Sequence, residues 1–176
     1  EEPLLLLEFH GSDASVIEQA DMFGAIAEEH GGAGYTTTTT TEERTKLWQA
    51  RHDAYWATLQ LRPGAMGIST DVCVPISRLA DCVNQAREKL DAEGFISPIV
   101  GHVGDGNFHC LLLVDAQNED EKLRAGEFVS WLNRLAISMD GTCTGEHGIG
   151  QGKMPYLEAE LGTATVDVMV AIKTAL

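Results

Sequence analysis

Short apolar runs alternate along this chain with longer stretches in which apolar residues have helical spacing. A short apolar or β-branched run bounded by Gly or Pro is typical of a buried strand, whereas apolar residues three or four positions apart predict a helix with one buried face. Strands are predicted at residues 3–9, 35–41, 68–74, 96–103 and 107–114. Helices are predicted at residues 15–30, 42–61, 77–93 and 118–139, with one or two more from residue 153 to the end.

Capping residues indicate where several of these helices begin. Ser15 and Glu18 have the spacing of a capping box, and Ser12 and Asp13 are alternative caps for the same helix. Later helices are expected to begin at Ser77 and at Asn118 or Asp120.

The order of these elements predicts the fold class. Helices between strands, together with one hairpin near residue 105, indicate an α+β fold in which helices cover a largely antiparallel sheet. Two ferredoxin-like halves fit this order. A length of 176 residues suits one domain or two small subdomains. Because the last helical pattern runs to Leu176 without a capping signal, we expect a domain cut from a longer protein at both ends.

Charge excludes one class of partner. The chain has 12 Lys and Arg against 27 Asp and Glu, a net charge of −15. Nucleic-acid binding needs clustered basic residues to neutralise phosphates, so we expect no nucleic-acid partner. Localisation is left open, with the bacterial cytoplasm or the periphery of a membrane favoured over secretion. Four cysteines without a CxxC pair are expected to be free thiols: Cys73, Cys82, Cys110 and Cys143.

A histidine-bearing hairpin is the sharpest candidate for chemistry. Asp105 and Gly106 between two strands predict a two-residue type I′ turn, which would put His102 directly opposite His109. Opposed residues share a face of the sheet, so the two imidazoles could bind one divalent ion. The alternative is that both histidines simply hydrogen-bond to their neighbours.

A glycine-rich loop at 141–150 supplies a third candidate ligand. Glu146 and His147 are adjacent and point in different directions, which suits one metal ligand and one general base. Alternatively, the loop is a connection whose polar residues cap the next helix. Arg51, on the second predicted helix, is suited to binding a carboxylate, although an arginine there could equally form a surface ion pair.

Four segments together resemble a known family. They are HVGDGNFH at 102–109, TCTGEHGIG at 142–150 with Lys153 after it, TDVCVPISR at 70–78 and LWQAR at 47–51. This combination resembles the C-terminal cap region of FAD-linked D-2-hydroxy-acid dehydrogenases, which include cytochrome-type D-lactate dehydrogenases and the D subunit of glycolate oxidase. The resemblance runs over most of the chain.

The resemblance implies a role for each candidate residue. His102, His109 and Glu146 would hold a divalent metal, zinc or manganese, with iron also acceptable. His147 would be the catalytic base, while Arg51 and Asn107 would bind the substrate. FAD would be held mainly by an N-terminal domain outside this chain. Met66 departs from the lysine expected in the D-lactate relatives.

The expected function is therefore that of a flavin-dependent dehydrogenase. A small D-2-hydroxy acid would be oxidised to a 2-keto acid, with metal-assisted deprotonation and hydride transfer to FAD. Electrons would pass to a cytochrome, a quinone or an electron-transfer flavoprotein, and a homo-oligomer is left open. We expect this fragment to be inactive without FAD. Two alternatives stay open: a zinc hydrolase, and a non-catalytic ferredoxin-like module for ligand binding or dimerisation.

Overall fold

The computed structural model describes residues 3–176 and divides the chain into two units, Glu1–Arg51 and His52–Leu176. The division falls within a helix. The first helix, α1, spans Asp13–Glu29, and the second, α2, spans Thr41–Leu59.

Helix α1 begins at one of the alternative caps. The Ser12 hydroxyl accepts a hydrogen bond from the backbone N–H of Ser15 at 3.4 Å. The capping box predicted at Ser15 is therefore wrong, because the observed cap lies three residues earlier and Ser15 is inside the first turn of the helix.

The strands predicted at 3–9 and 35–41 are wrong. The structure assigns no strand to either segment, and Leu4 at the first of them is 80% exposed. A strand needs a neighbouring strand to pair its backbone groups, and no ladder within the described residues includes these segments. The ferredoxin-like duplication is therefore not shown, although the predicted α+β class is confirmed.

One antiparallel sheet forms the centre of the second unit. Its longest strand pairs on one edge with two short strands in succession and on the other edge with a third. The strands are β1 (Met66–Ser69), β2 (Val72–Cys73), β3 (Ile99–His102) and β4 (Asn107–Val114). The strand predicted at 68–74 is thus interrupted, and the one predicted at 96–103 is shorter.

Strands β1 and β2 follow the same register along β4. Met66 pairs with Val114 and Val72 pairs with Phe108, so the residue numbers of each pair have the same sum. The two strands are therefore one line of chain broken at residues 70 and 71. The backbone N–H of Thr70 still donates to the carbonyl of Cys110 at 3.0 Å, which keeps the line in register across the break.

Two helices cover one face of the sheet. Helix α3 spans Ile76–Glu93 and helix α4 spans Glu119–Ser138. Asn118 caps α4 as predicted, since its side chain accepts from the N–H of Glu121 at 3.1 Å. Helix α3 begins directly after Pro75, and Ser77 is not its cap, because it lies within the first turn.

The core lies between these helices and alternate residues of β4. Successive side chains of a strand point to opposite faces, so Phe108, Cys110, Leu112 and Val114 share the inner face. They pack with apolar residues of both helices: Leu79, Cys82, Ala86, Leu90, Ala125, Phe128, Leu132 and Ala136. The same alternation puts Asn107 and His109 on the opposite face of the sheet.

The chain ends in two further helices, α5 (Leu157–Leu161) and α6 (Thr163–Ala175), after a 3₁₀ turn at Met154–Tyr156. None of the described helices combines the length and the apolar content that crossing a bilayer requires. All four cysteines are free thiols, as predicted, and burial raises the pKa of the Cys110 thiol to about 12.

Gly141 joins the loop after α4 to the edge of β2. Thr142 and Cys73 exchange backbone hydrogen bonds of 2.8 and 3.2 Å. A Cβ added at Gly141 would lie 2.3 Å from the carbonyl oxygen of Cys73 and 2.8 Å from that of Ala136. Only glycine lets the loop approach the strand this closely.

We therefore expect Gly141→Ala to lower the free energy of unfolding by at least about 2 kcal/mol, because backbone must move to admit the methyl group. Gly126→Ala is the matched control, since an added Cβ at that exposed position of α4 has no atom within 4 Å. It should raise stability by about 0.5–1 kcal/mol. Urea unfolding of both variants measures the difference, and equal effects would contradict this account.

Candidate metal centre and active site

The connection between β3 and β4 differs from the predicted type I′ turn. It is four residues long, a 3₁₀ turn at Val103–Asp105 followed by Gly106 with φ +76°. A packing contact with Val74, the residue directly after β2, sets this shape. The carbonyl of Gly106 accepts from the N–H of Val74 at 3.0 Å, and a Cβ on Gly106 would lie 2.1 Å from the carbonyl oxygen of Val74.

The two hairpin histidines nevertheless lie together. In the observed register His102 pairs with Asn107, and His109 pairs with Val100, so the histidines are diagonal neighbours rather than directly opposed. Diagonal residues share a face of the sheet and remain within reach of aromatic side chains. The centroids of the two rings are 5.9 Å apart. The predicted pairing is wrong, but the predicted convergence is confirmed.

Glu146 brings a carboxylate to the same place from the glycine-rich loop. Its Oε1 lies 3.0 Å from Nε2 of His109 and 3.4 Å from Nε2 of His102. Ligand atoms of these three residues lie within 4.8 Å of one another. The ring of His147 is also close to this group, with its Nε2 3.7 Å from the same oxygen of Glu146. The structure thus brings together four predicted site residues from two separate segments of chain.

The tautomer of His109 decides what its outer nitrogen can do. Nδ1 lies 2.9 Å from the carbonyl oxygen of Thr70, which can only accept, so Nδ1 carries the proton. In the neutral ring Nε2 then presents a lone pair toward the carboxylate of Glu146. Two acceptors at 3.0 Å repel each other unless a cation, either a proton or a metal ion, stands between them. The arrangement therefore fits a cation site.

The carboxylate of Asp71 lies beneath this group and is 5% exposed. It accepts hydrogen bonds from the backbone N–H groups of Glu146 and His147 at 3.1–3.3 Å. Its other donors are the Asn107 amide at 3.0 Å, and the Thr144 hydroxyl and the Lys153 ammonium, both at 3.2 Å. Both oxygens of the carboxylate are therefore engaged.

These donors keep Asp71 ionised. Burial alone would raise the pKa of the carboxyl group, but the hydrogen bonds from the His147 backbone, Asn107 and Lys153 outweigh it and hold the pKa well below its ordinary value. Asp71, His109 and His147 form a second group with metal-ligand spacing. That group is the weaker candidate, since Asp71 is saturated and the Nδ1 of His109 is occupied by Thr70.

Asp71, Thr144 and Lys153 are not among the predicted site residues. The signal for Asp71 is present in the sequence, because a charged residue inside an otherwise apolar strand must find partners when it is buried. Thr144 and Lys153 lie within and just after the TCTGEHGIG segment, but their positions relative to Asp71 depend on the path of the loop.

Asn107 is enclosed between the sheet and the loop. Its amide nitrogen donates to Asp71 and to the carbonyl of Val72, at 3.0 and 2.9 Å. Among the described residues its Oδ1 has no hydrogen-bond partner. A Cβ on Gly145 would lie 1.7 Å from the Asn107 nitrogen, so glycine is required for the loop to come this close.

Two further residues were singled out from the sequence, Arg51 and Met66. Arg51 is half-buried on α2 and belongs to the first unit, so its carboxylate-binding role stays a prediction. Met66 begins β1, five positions along the strand from Asp71, which is about 17 Å at the usual strand rise. It is therefore not among the clustered side chains.

Comparison with known proteins identifies relatives of this chain. A protein named "Probable D-lactate dehydrogenase, mitochondrial" from Danio rerio is 47% identical over 174 residues, which cover 99% of this chain and 35% of the relative. "D-lactate dehydrogenase [cytochrome], mitochondrial" from Arabidopsis thaliana is 40% identical over 176 residues, covering 100% and 31%. "Glycolate oxidase subunit GlcD" from Bacillus subtilis is 34% identical over 172 residues, covering 98% and 36%.

This chain thus spans about a third of the length of the curated relatives it matches. The sequence model of the family described as "FAD linked oxidases, C-terminal domain" matches residues 1–176 of this chain. The resemblance inferred from the four segments is therefore confirmed. The chain belongs to the family of FAD-linked oxidase C-terminal domains.

Proposed function

We propose that this chain is the substrate domain of a flavin-dependent dehydrogenase that oxidises a D-lactate-like D-2-hydroxy acid to a 2-keto acid. The observation that carries the proposal is the close approach of Nε2 of His109 to the carboxylate of Glu146, at 3.0 Å, with two more imidazoles close by. Family membership favours this function over the zinc hydrolase and the non-catalytic module.

His102, His109 and Glu146 would hold the divalent metal. Two imidazoles and one carboxylate suit zinc and also accept manganese or iron. The fit rests on the donor atoms themselves, since the Nε2 of His109 needs a cation opposite it and its Nδ1 is already fixed by Thr70. A bound divalent ion would supply Lewis-acid stabilisation of negative charge on a substrate oxygen.

FAD would supply the two-electron oxidant for this reaction. Support comes from the family of FAD-linked oxidases, and we assign no residue of this chain to flavin binding. The Arabidopsis relative is named as a cytochrome-type enzyme, so a cytochrome is the electron acceptor we favour over a quinone or an electron-transfer flavoprotein. Two of the three relatives are named as mitochondrial, and the preference for the bacterial cytoplasm or the periphery of a membrane over secretion stays a prediction.

His147 would take the hydroxyl proton of the substrate. Its side chain is 68% exposed, so a substrate can reach it, while its backbone is anchored by Asp71. The imidazole would accept the proton as the O–H bond breaks. The electrons of that bond would form the carbonyl, while the hydrogen on C2 would leave as hydride, for which FAD would be the acceptor.

Arg51 and Asn107 would bind the substrate. The guanidinium of Arg51 suits bidentate binding of the substrate carboxylate, which would orient C2. The amide oxygen of Asn107 is the atom free to accept from a ligand, since the nitrogen is committed to Asp71 and Val72.

We expect His109→Ala in the full-length protein to abolish metal retention, because a His₂Glu site would lose its most buried ligand. Turnover of D-lactate should fall at least about 100-fold while the flavin absorbance is retained. Metal content after dialysis and steady-state rates measure the two effects. His10→Ala, which changes an exposed histidine of the first unit, is the control and should alter neither. Near-normal turnover and metal content in His109→Ala would refute the metal site.

We expect His147→Gln to retain the metal but to lose proton abstraction. The rise of kcat/KM with pH that a histidine base produces between about pH 5 and 8 should disappear, with a rate loss of about 10²–10⁴-fold. The exposed His30 provides the matched substitution, His30→Gln, which should leave the profile unchanged. The assignment of His147 as base fails if its variant keeps the wild-type pH–rate profile.

A further inference from the structure

We propose that Asp71 is a positioning residue, which fixes the backbone of the Glu146–His147 segment so that one side chain faces the metal and the next faces the substrate. The inference rests on the proposed function, because it assigns Asp71 a role toward the metal and the proton acceptor. Asp71 itself binds neither, since its oxygens are occupied by donors of this chain.

Consecutive N–H groups make this contact specific. The backbone N–H of Glu146 lies 3.2 and 3.3 Å from the two oxygens of Asp71, and that of His147 lies 3.1 Å from Oδ2. A carboxylate bound by successive N–H groups fixes the orientation of both peptide planes. With the peptide planes fixed, the directions of the two Cα–Cβ bonds are fixed as well. Glu146 and His147 therefore cannot exchange roles without breaking these bonds.

The segment that contains Asp71 also positions His109. The register of β1 and β2 on β4 puts Thr70 opposite Cys110 and Asp71 opposite His109. The carbonyl of Thr70 orients the His109 ring through Nδ1, while Asp71 orients the loop that carries Glu146. Two consecutive residues at the break between β1 and β2 thus set the ligand atoms on both sides of the metal position.

Lys153 and Thr144 complete the carboxylate's surroundings. Lys153 donates to the backbone carbonyl of Asp71 at 2.6 Å and to its side chain at 3.2 Å, and Thr144 donates to the same oxygen. A buried carboxylate needs such partners to remain charged. Neither residue touches Glu146 or His147 through these bonds, so the positioning role belongs to Asp71.

If Asp71 only stabilised the fold, its loss would lower stability without a specific effect on zinc affinity. The chain contains a second buried carboxylate, which serves as a matched comparison. Glu121 is a buried carboxylate, 8% exposed, and is paired with Arg62 through two hydrogen bonds. It also accepts from the N–H of Asp115 at 3.0 Å, but it contacts no predicted ligand. Removing its charge tests the cost of losing a buried carboxylate in this domain without disturbing the site.

The test is a double-mutant cycle on zinc affinity, measured by chelator competition on the full-length protein. Asp71→Asn should weaken zinc binding about 10–100-fold, the usual effect of losing an outer partner of a ligand. In the Glu146→Gln background the same change should weaken binding less than about threefold, because the ligand that Asp71 positions is already impaired. Glu121→Gln should leave zinc affinity unchanged while lowering stability.

The possible results separate this inference from the proposed function. If His109→Ala loses zinc but Asp71→Asn does not, only the positioning role is overturned. An equal loss from Asp71→Asn in both backgrounds also overturns it, since Asp71 would then support the histidines generally. If the wild-type protein binds no zinc or manganese, the proposed metal site fails and this inference fails with it.

Hydrogen exchange provides a second measurement if Asp71→Asn does not fold. In the zinc-free wild-type protein the amides of Glu146 and His147 should exchange at least tenfold more slowly than that of Gly148, which is exposed. The contact with Asp71 does not depend on the metal, so adding zinc should change this protection little. Protection that appears only with zinc would overturn the proposal.

Discussion

The contact between His109 and Glu146 is the constraint on which the site depends. Its two facing atoms both carry lone pairs once Thr70 fixes the proton on the inner nitrogen of His109. Such an arrangement is stable only with positive charge between the atoms. A proton on Nε2 of His109 would supply that charge, and so would a divalent ion held together with His102.

Strand β4 makes this contact possible because it carries apolar core residues on one face and polar site residues on the other. Among the first four residues of β4, Phe108 and Cys110 are in the core, whereas Asn107 and His109 lie beside the site. A slip of one residue in register would bury the imidazole and expose the aromatic ring. The apolar packing of α3 and α4 against the inner face consequently fixes the position of His109 as firmly as any polar contact does.

The sequence was most informative where local chemistry decides the structure. The histidine and Glu-His motifs, the antiparallel hairpin and the Asn118 cap were all predictable, since each depends on neighbouring residues. The turn between His102 and Asn107 was not, because Gly106 is packed against Val74, far away in sequence. The strands predicted at 3–9 and 35–41 failed for a related reason: β-branched and apolar composition favours a strand only where another strand is available to pair with it.

The glycines of the loop at 141–150 make this loop recognisable from sequence, whereas the contact of Asp71 with the loop leaves no such pattern. Gly141 lies against the backbone of Cys73, and Gly145 lies against the side chain of Asn107, so neither position admits a Cβ. Steric limits of this kind leave a dense glycine pattern around Glu146 and His147. Asp71, by contrast, acts through bonds to main-chain N–H groups, which every residue except proline possesses. A partner that binds backbone leaves no complementary residue type in the loop sequence. The sequence therefore signals that a buried Asp71 needs partners, and the folded register of β1, β2 and β4 shows which partners these are.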